Sequence, residues 1–169
     1  ERLIIAAGAR SAFKGYGQPP YPNALCVSVN DCVVHGIATD SPLVDGDIVS
    51  LDLGLVYQGL YTDMAITVPV GNISKANQKL IDVTQEALKR GVAVIRPGVK
   101  TGAVGQAIQS YVESQGFAVV LEFTGHGVGR AVHQEPSVPN FGKDSEGTIL
   151  TEGMILAIEP MVTAGDWHI

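Results

Sequence analysis

Charge is scarce in this 169-residue chain: only 17% of residues are charged, eleven are Lys or Arg, and the net charge is -6. Neutralising a phosphate backbone takes clustered basic side chains, so this composition excludes a nucleic-acid binder and gives no reason to expect docking on an anionic membrane. Long apolar runs are missing too. Ala118 to Leu121 and Met154 to Ile158 are typical of those present, far short of the ~20 residues that span a bilayer. No secretory signal pattern opens the chain. Cysteine is limited to Cys26 and Cys32. An extended strand carries both on one face without letting them meet, so no disulfide is expected and both are read as small buried hydrophobes. That usage fits a reducing cytosol, and the expected location is cytoplasmic. A Gly-x-Ser-x-Gly elbow is absent, neither cysteine has an evident His partner, and no thiolate set for structural zinc occurs, so serine, cysteine and all-thiolate zinc chemistry all lose ground.

Glycine, by contrast, is abundant, with 20 residues, and 46% of the chain is hydrophobic. Glycine supplies the positive φ angles of tight turns, so the pattern predicts a sheet-rich α+β body of a size suited to one core, a single domain over residues 1–169. Glu1 stands at the edge of a helical run, Arg2 to Lys14, and Ile169 follows no recognisable cap; both ends are expected to be cuts.

Along the chain, Leu25 to Val29 and Val33 to Ile37 read as a hairpin around Asn30-Asp31, ending at His35-Gly36. Ile48 to Val56 and Tyr61 to Val70 read as two strands rich in β-branched residues, with a turn near Gln58-Gly59. Ser74 is the expected N-cap of a helix with Leu80, Ile81, Leu88, Val92 and Ile95 at apolar positions, ended by Pro97-Gly98. Thr101 is expected to cap a second, with Val104, Ile108, Tyr111 and Val112 at helical spacing and Gly116 as its stop. A strand, Phe117 to Glu122, a loop from Gly125 to His133, and a last strand near Met154 to Glu159 complete the reading. Leu43-x-x-Gly46 precedes Asp52 as Leu150-x-x-Gly153 precedes Glu159, which hints at two similar halves facing a shared site.

Buried aspartates are rare without partners. Asp52 and Asp63 each lie inside apolar strand sequence, and a hairpin centred between Tyr57 and Gln58 sets them directly opposite each other. Cross-strand Cβ atoms are roughly 4.5–5.5 Å apart, so two ionised carboxylates there need a neutralising partner. Ile48 to Val68 contains no Lys or Arg, which favours a bound metal. His126 and His133 lie in a glycine-rich segment that permits close backbone approach, and Glu159 ends an apolar run stopped by Pro160. Burying that carboxylate unpaired is costly. Oxygen ligands with imidazole suit a pair of divalent Mn, Fe, Co or Zn ions, and such a pair activates water against an amide.

The segments NDCVVHG (residues 30–36), DGDIVSLDLG (45–54), GHGVGRAVHQEP (125–136) and AIEPM (157–161) resemble the type I, bacterial-type methionine aminopeptidases of the pita-bread fold. The resemblance implies that Asp52 chelates one metal, Asp63 bridges both, and His126 and Glu159 bind the other, with Glu159 also moving the proton of the attacking water. It implies that His133 holds the scissile amide, that His35 donates a hydrogen bond to the substrate, and that Tyr16, Tyr21, Cys26, Val132 and Met161 line the pocket for an N-terminal methionine of a peptide or nascent protein. Family members carry a fifth ligand, a second bridging glutamate, beyond the strand matching Glu159. Only ten residues follow Glu159 here, so that ligand is not in this sequence, reduced metal occupancy is expected, and an exposed sheet edge could be covered by another chain in an oligomer. Two other readings stand beside the aminopeptidase: a catalytically impaired pita-bread binding module, and a relative of prolidase or aminopeptidase P.

Overall fold

The computed structural model describes residues 1–166 and 168. These fall into two compact units, one formed by Glu1–Asn77 with Val128–Val132, the other by Gln78–Gly127 with the residues from His133 on.

In the first unit the expected helix is short. Helix α1 covers only Arg2–Ala6, because Gly8 turns the chain with φ of 71° and the next residues, β1 (Arg10–Ser11), pair with β3 (Ile48–Tyr57). Strand β2 (Cys26–Val29) also pairs with β3, antiparallel, with Cys26 opposite Asp52. The second arm of the expected hairpin, Val33 to Ile37, is not a strand. It runs beside β2 through the bond from Val27 N–H to the Gly36 carbonyl, 2.8 Å. Cys32 is therefore exposed rather than buried, while Cys26 is buried, and both thiols are free.

The other edge of β3 pairs with β4 (Leu60–Pro69) over ten residue pairs. Gln58 and Gly59 both have positive φ, 50° and 83°, the conformation that a two-residue hairpin turn requires. The hairpin is thus centred between Gln58 and Gly59, and Asp52 stands opposite Ala65 while Asp63 stands opposite Gly54. The two acids are diagonal, not directly opposed. Moving the centre by one residue shifts each partner by two, which keeps the parity, so both remain on one face, as does the Ser50–Thr67 hydroxyl pair at 2.7 Å. The reverse face is apolar, and Leu60, Met64 and Ile66 are exposed on it.

The second unit is built on two helices and short strands. Helix α2 (Lys75–Ala93) begins where the Ser74 hydroxyl accepts the Asn77 N–H at 3.0 Å, a side-chain cap of the predicted kind. Its buried residues are Ile81, Val83, Ala87 and Gly91, whereas Leu88 and Val92 are exposed. The inward stripe uses small residues because α3 (Thr101–Ser114) lies close: a Cβ on Gly91 would come within 2.8 Å of Ile108 Cδ1. Val104, Ile108 and Val112 of α3 are fully buried; each such side chain contributes roughly 1.5–3 kcal/mol. Thr101 is the first helical residue rather than the cap, and its hydroxyl accepts the Thr148 N–H. Gly116, with φ of 83°, ends the helix.

Of the strand expected over Phe117 to Glu122, only β5 (Ala118–Val119) is laddered, against β9 (Val162–Thr163). The segment expected as a loop at Gly125 is a strand. Strand β6 (Thr124–Gly127) lies between β7 (Gln134–Pro139) and β8 (Leu156–Ala157), antiparallel to both. Glycine is required there by packing. A Cβ on Gly125 would fall 2.3 Å from the Ala157 carbonyl oxygen, and one on Gly127 2.3 Å from that of Glu135.

Candidate metal centre

In the first unit, β3 and β4 carry Asp52 and Asp63 on the face that also bears Gly54 and Val56. Phe13 fills the space over Gly54, where a Cβ would come within 2.4 Å of its ring. Beside the acids lies an apolar cluster of Ala12, Phe13, Cys26, Val56 and Val132, with Tyr21 and Tyr61 packed against it. Three expected pocket residues, Tyr21, Cys26 and Val132, are therefore together. Tyr16 is 49% exposed and is not part of the cluster. Phe13 and Tyr61 belong to it as well; Tyr61 precedes Asp63 by two residues, so strand alternation puts it on the same face.

The guanidinium of Arg10 lies over the Tyr61 ring at the β1 end of this face, and the two acids act on the groups around Cys26. Burial pushes the Cys26 thiol up, against a lowering by the Tyr21 hydroxyl, and Asp52 and Asp63 add to the rise. Burial likewise pushes the Tyr21 phenol up, with Cys26 and Asp52 contributing. Lys and Arg are absent from β2, β3 and β4. Such a surface accommodates a cation readily.

His35 is placed by its neighbour. The Gly36 carbonyl accepts the Tyr21 hydroxyl at 2.7 Å and the Val27 N–H at 2.8 Å, and the Gly36 N–H donates to Ser28 Oγ at 3.0 Å. A side chain at Gly36 would meet the Val27 carbonyl oxygen at 2.2 Å. With Gly36 clamped, His35 is exposed in the left-handed region, φ 57°, an uncommon conformation for a residue with a Cβ.

In the second unit, His126 sits mid-strand on β6. Its Nδ1 lies 2.9 Å from the Gly127 carbonyl oxygen. A carbonyl can only accept, so Nδ1 carries the hydrogen. The ring's Nε2 lies 2.9 Å from Glu159 Oε1. Oε1 is shielded from solvent and has no hydrogen-bond partner among the described residues. At this distance a proton or a cation stands between the nitrogen and the carboxylate oxygen, since an unsatisfied buried acceptor costs about 1–3 kcal/mol. Oxygen and imidazole nitrogen are the donor types of a divalent transition-metal site, so this pair fits a metal. The His133 ring lies edge-on to His126, centroids 4.5 Å apart at 75°, and each ring offers a nitrogen within 4.8 Å of the other's. Met161 is partly buried in the same unit, its carbonyl accepting the Val120 N–H at 3.0 Å.

Comparison with known proteins bears on these arrangements. The chain matches metallopeptidase family M24 over residues 3–169. Methionine aminopeptidase 1 of Bacillus subtilis is 46% identical over 169 residues, all of this chain and 67% of that protein. The chain belongs to this family. Within it, the chain is of the type I methionine aminopeptidase kind, with the α+β pita-bread fold. The crystal structure of the Rickettsia prowazekii methionine aminopeptidase superposes with a TM-score of 0.96 at 40% identity, covering 99% of this chain and 66% of that one. The Thermotoga maritima methionine aminopeptidase gives 0.95 at 46% identity, covering 99% and 67%. The chain thus spans about two thirds of the length of the relatives it matches. Family membership implies the use of divalent metal, and no helix of the described residues is long and apolar enough to cross a membrane.

Proposed function

We propose that this chain is a metal-dependent aminopeptidase that hydrolyses the peptide bond after an N-terminal methionine, using two divalent ions of the Mn, Fe, Co or Zn type. The observation that carries the reading is the approach of His126 Nε2 to Glu159 Oε1 at 2.9 Å, an imidazole nitrogen and a shielded carboxylate oxygen of the types that hold a divalent ion. Asp52 and Asp63, on one face of strands without basic residues, support it. In this reading a single metallopeptidase domain would hold the ions through Asp52, Asp63, His126 and Glu159.

The chemistry such ions would supply is a lowered pKa for a water and polarisation of the scissile carbonyl. The protein's own groups do the rest. The Glu159 carboxylate takes the proton of the attacking water and delivers it to the departing amine nitrogen, so the C–N bond breaks and the carboxylate is regenerated. The imidazole N–H of His133 donates to the scissile carbonyl oxygen and steadies the charge that develops there. His35, fixed through the clamped Gly36, donates to the substrate beside the cleaved bond. The apolar cluster around Tyr21, Cys26 and Val132, with Tyr16 and Met161 completing the lining, takes the methionine side chain, which excludes water as it binds. The substrates are Met-initiated peptides and nascent proteins, and the protein works in the cytoplasm.

The test pairs metal binding with turnover. Titration of the purified protein with Mn or Co should show binding that Asp63→Asn and Glu159→Gln each weaken by about tenfold or more, with methionine released from a Met-Ala-Ser peptide in the metal-loaded sample. Unchanged metal affinity in both variants would refute the ligand assignment. Cleavage of Xaa-Pro dipeptides in preference to the Met peptide would shift the reading to a prolidase, and metal binding without any peptide cleavage to a binding module.

A further inference from the structure

Strand β8 ends at Ala157, two residues before Glu159, and Pro160 supplies no N–H to continue the ladder. The backbone that presents the Glu159 carboxylate is therefore not held by strand pairing. Its carbonyl is held by Asn140 instead, whose side-chain Nδ2 donates to the Glu159 carbonyl oxygen at 2.6 Å. Asn140 immediately follows β7, on the far side of β6 from β8. The carboxamide thus ties the end of β7 to the extension of β8 across the start of β6, where Thr124 pairs with Pro139.

Asn140 is fully buried, 0% exposed, and its Oδ1 has no hydrogen-bond partner among the described residues. The orientation is fixed by chemistry, since the opposite amide flip would set oxygen against the Glu159 carbonyl oxygen. A buried acceptor left unpaired opposes stability. An apolar side chain of similar volume would avoid that cost, so burial alone gives no reason for an asparagine here. The one bond that Asn140 is shown making is to the residue whose carboxylate faces His126.

We infer that Asn140 is a positioning residue for Glu159: its carboxamide fixes the backbone of that glutamate so that Oε1 is held against His126 Nε2 in the geometry that binds metal and moves the proton. The inference rests on the aminopeptidase reading and goes beyond it by naming a residue that touches neither substrate nor metal. Partners that orient a metal ligand typically change affinity or activity about 10- to 100-fold when removed.

The experiment compares wild type, Asn140→Leu, Asn140→Ala and Glu159→Gln. Co titration is followed by visible absorption, which reports ligand geometry independently of turnover, and kcat and KM are measured on Met-Ala-Ser. Asn140→Leu keeps the number and branching of side-chain heavy atoms and removes the donor, so it opens no cavity and guards against loss of fold in the alanine variant. The expected result is a fall of about 10- to 100-fold in Co affinity, an altered absorption spectrum and a lower kcat with KM little changed, in Asn140→Leu as in Asn140→Ala. Wild-type affinity, spectrum and kcat in Asn140→Leu, while Glu159→Gln loses them, would overturn the positioning role and leave the aminopeptidase reading intact. If Glu159→Gln itself changes none of the three, the reading of Glu159 as a ligand fails and this inference fails with it.

Discussion

Replacing Gly125 by alanine adds one methyl group where three strand backbones meet. Its Cβ would lie 2.3 Å from the Ala157 carbonyl oxygen and 3.2 Å from that of Val138. Both atoms belong to strands that pair with β6, on opposite sides of it. Neither can yield as the tip of a flexible side chain would, so relief requires β6 and β8 to separate by about an ångström, judged against ordinary carbon–oxygen contact. Overpacking of a tight interior costs typically 1–3 kcal/mol. With a backbone carbonyl as the obstacle and the His126–Ala157 pairing one residue away, the expected loss is at the top of that range, about 3 kcal/mol. Urea unfolding followed by circular dichroism measures it. Gly116→Ala is the control, for a Cβ there meets nothing within 4 Å and the penalty is conformational alone, φ 83°, roughly 1 kcal/mol. Because His126 is the next residue, Gly125→Ala should also weaken Co binding by about tenfold or more, whereas the control should not. A loss below about 1 kcal/mol in Gly125→Ala with unchanged Co affinity would show that the close approach of β6 to β8 is not what demands glycine.

Two further perturbations address the framework. Ile108→Ala empties a fully buried site among Val104, Val112 and Ala87, and should cost about 2–5 kcal/mol in urea unfolding, since α2 already approaches as closely as Gly91 permits; a loss under about 1 kcal/mol would contradict that packing. Asp47 is held below its ordinary value first by the Val44 N–H and then by the Asn30 amide. Its folded value lies below the unfolded one, so the stability it contributes is present above about pH 4 and fades as pH falls through the folded value. Asp47→Ala should flatten that acid limb of an unfolding-versus-pH curve, and an unaltered limb would refute the assignment.

Several features were legible in the sequence for identifiable reasons. Helix α3 was, because Val104, Ile108 and Val112 repeat at helical spacing and all three are buried. So was the shared face of Asp52 and Asp63, because strand parity survives an error of one residue in the turn's centre, although the pairing itself did not. The burial stripe of α2 differs from the apolar pattern at Leu88 and Val92, since size suggests the inward face and the close α3 demands Ala87 and Gly91 instead. The glycines around His126 point to a loop because glycine disfavours strands in isolation, and only the carbonyls of Ala157 and Glu135 explain why glycine must flank it in a strand.

What the sequence by itself determined is the inventory: two aspartates in apolar strands without basic neighbours, two histidines among glycines, and a glutamate stopped by proline, together with the resemblance that groups them. Those are local properties, written in residue type and short-range period. The tertiary structure decided the register that makes Asp52 and Asp63 diagonal, the pairing of β6 with both β7 and β8, the 2.9 Å approach of Glu159 Oε1 to His126 Nε2, and the hold of Asn140 on Glu159. Each depends on which backbones meet across long stretches of chain, and residue period carries no information about that until the strands have paired.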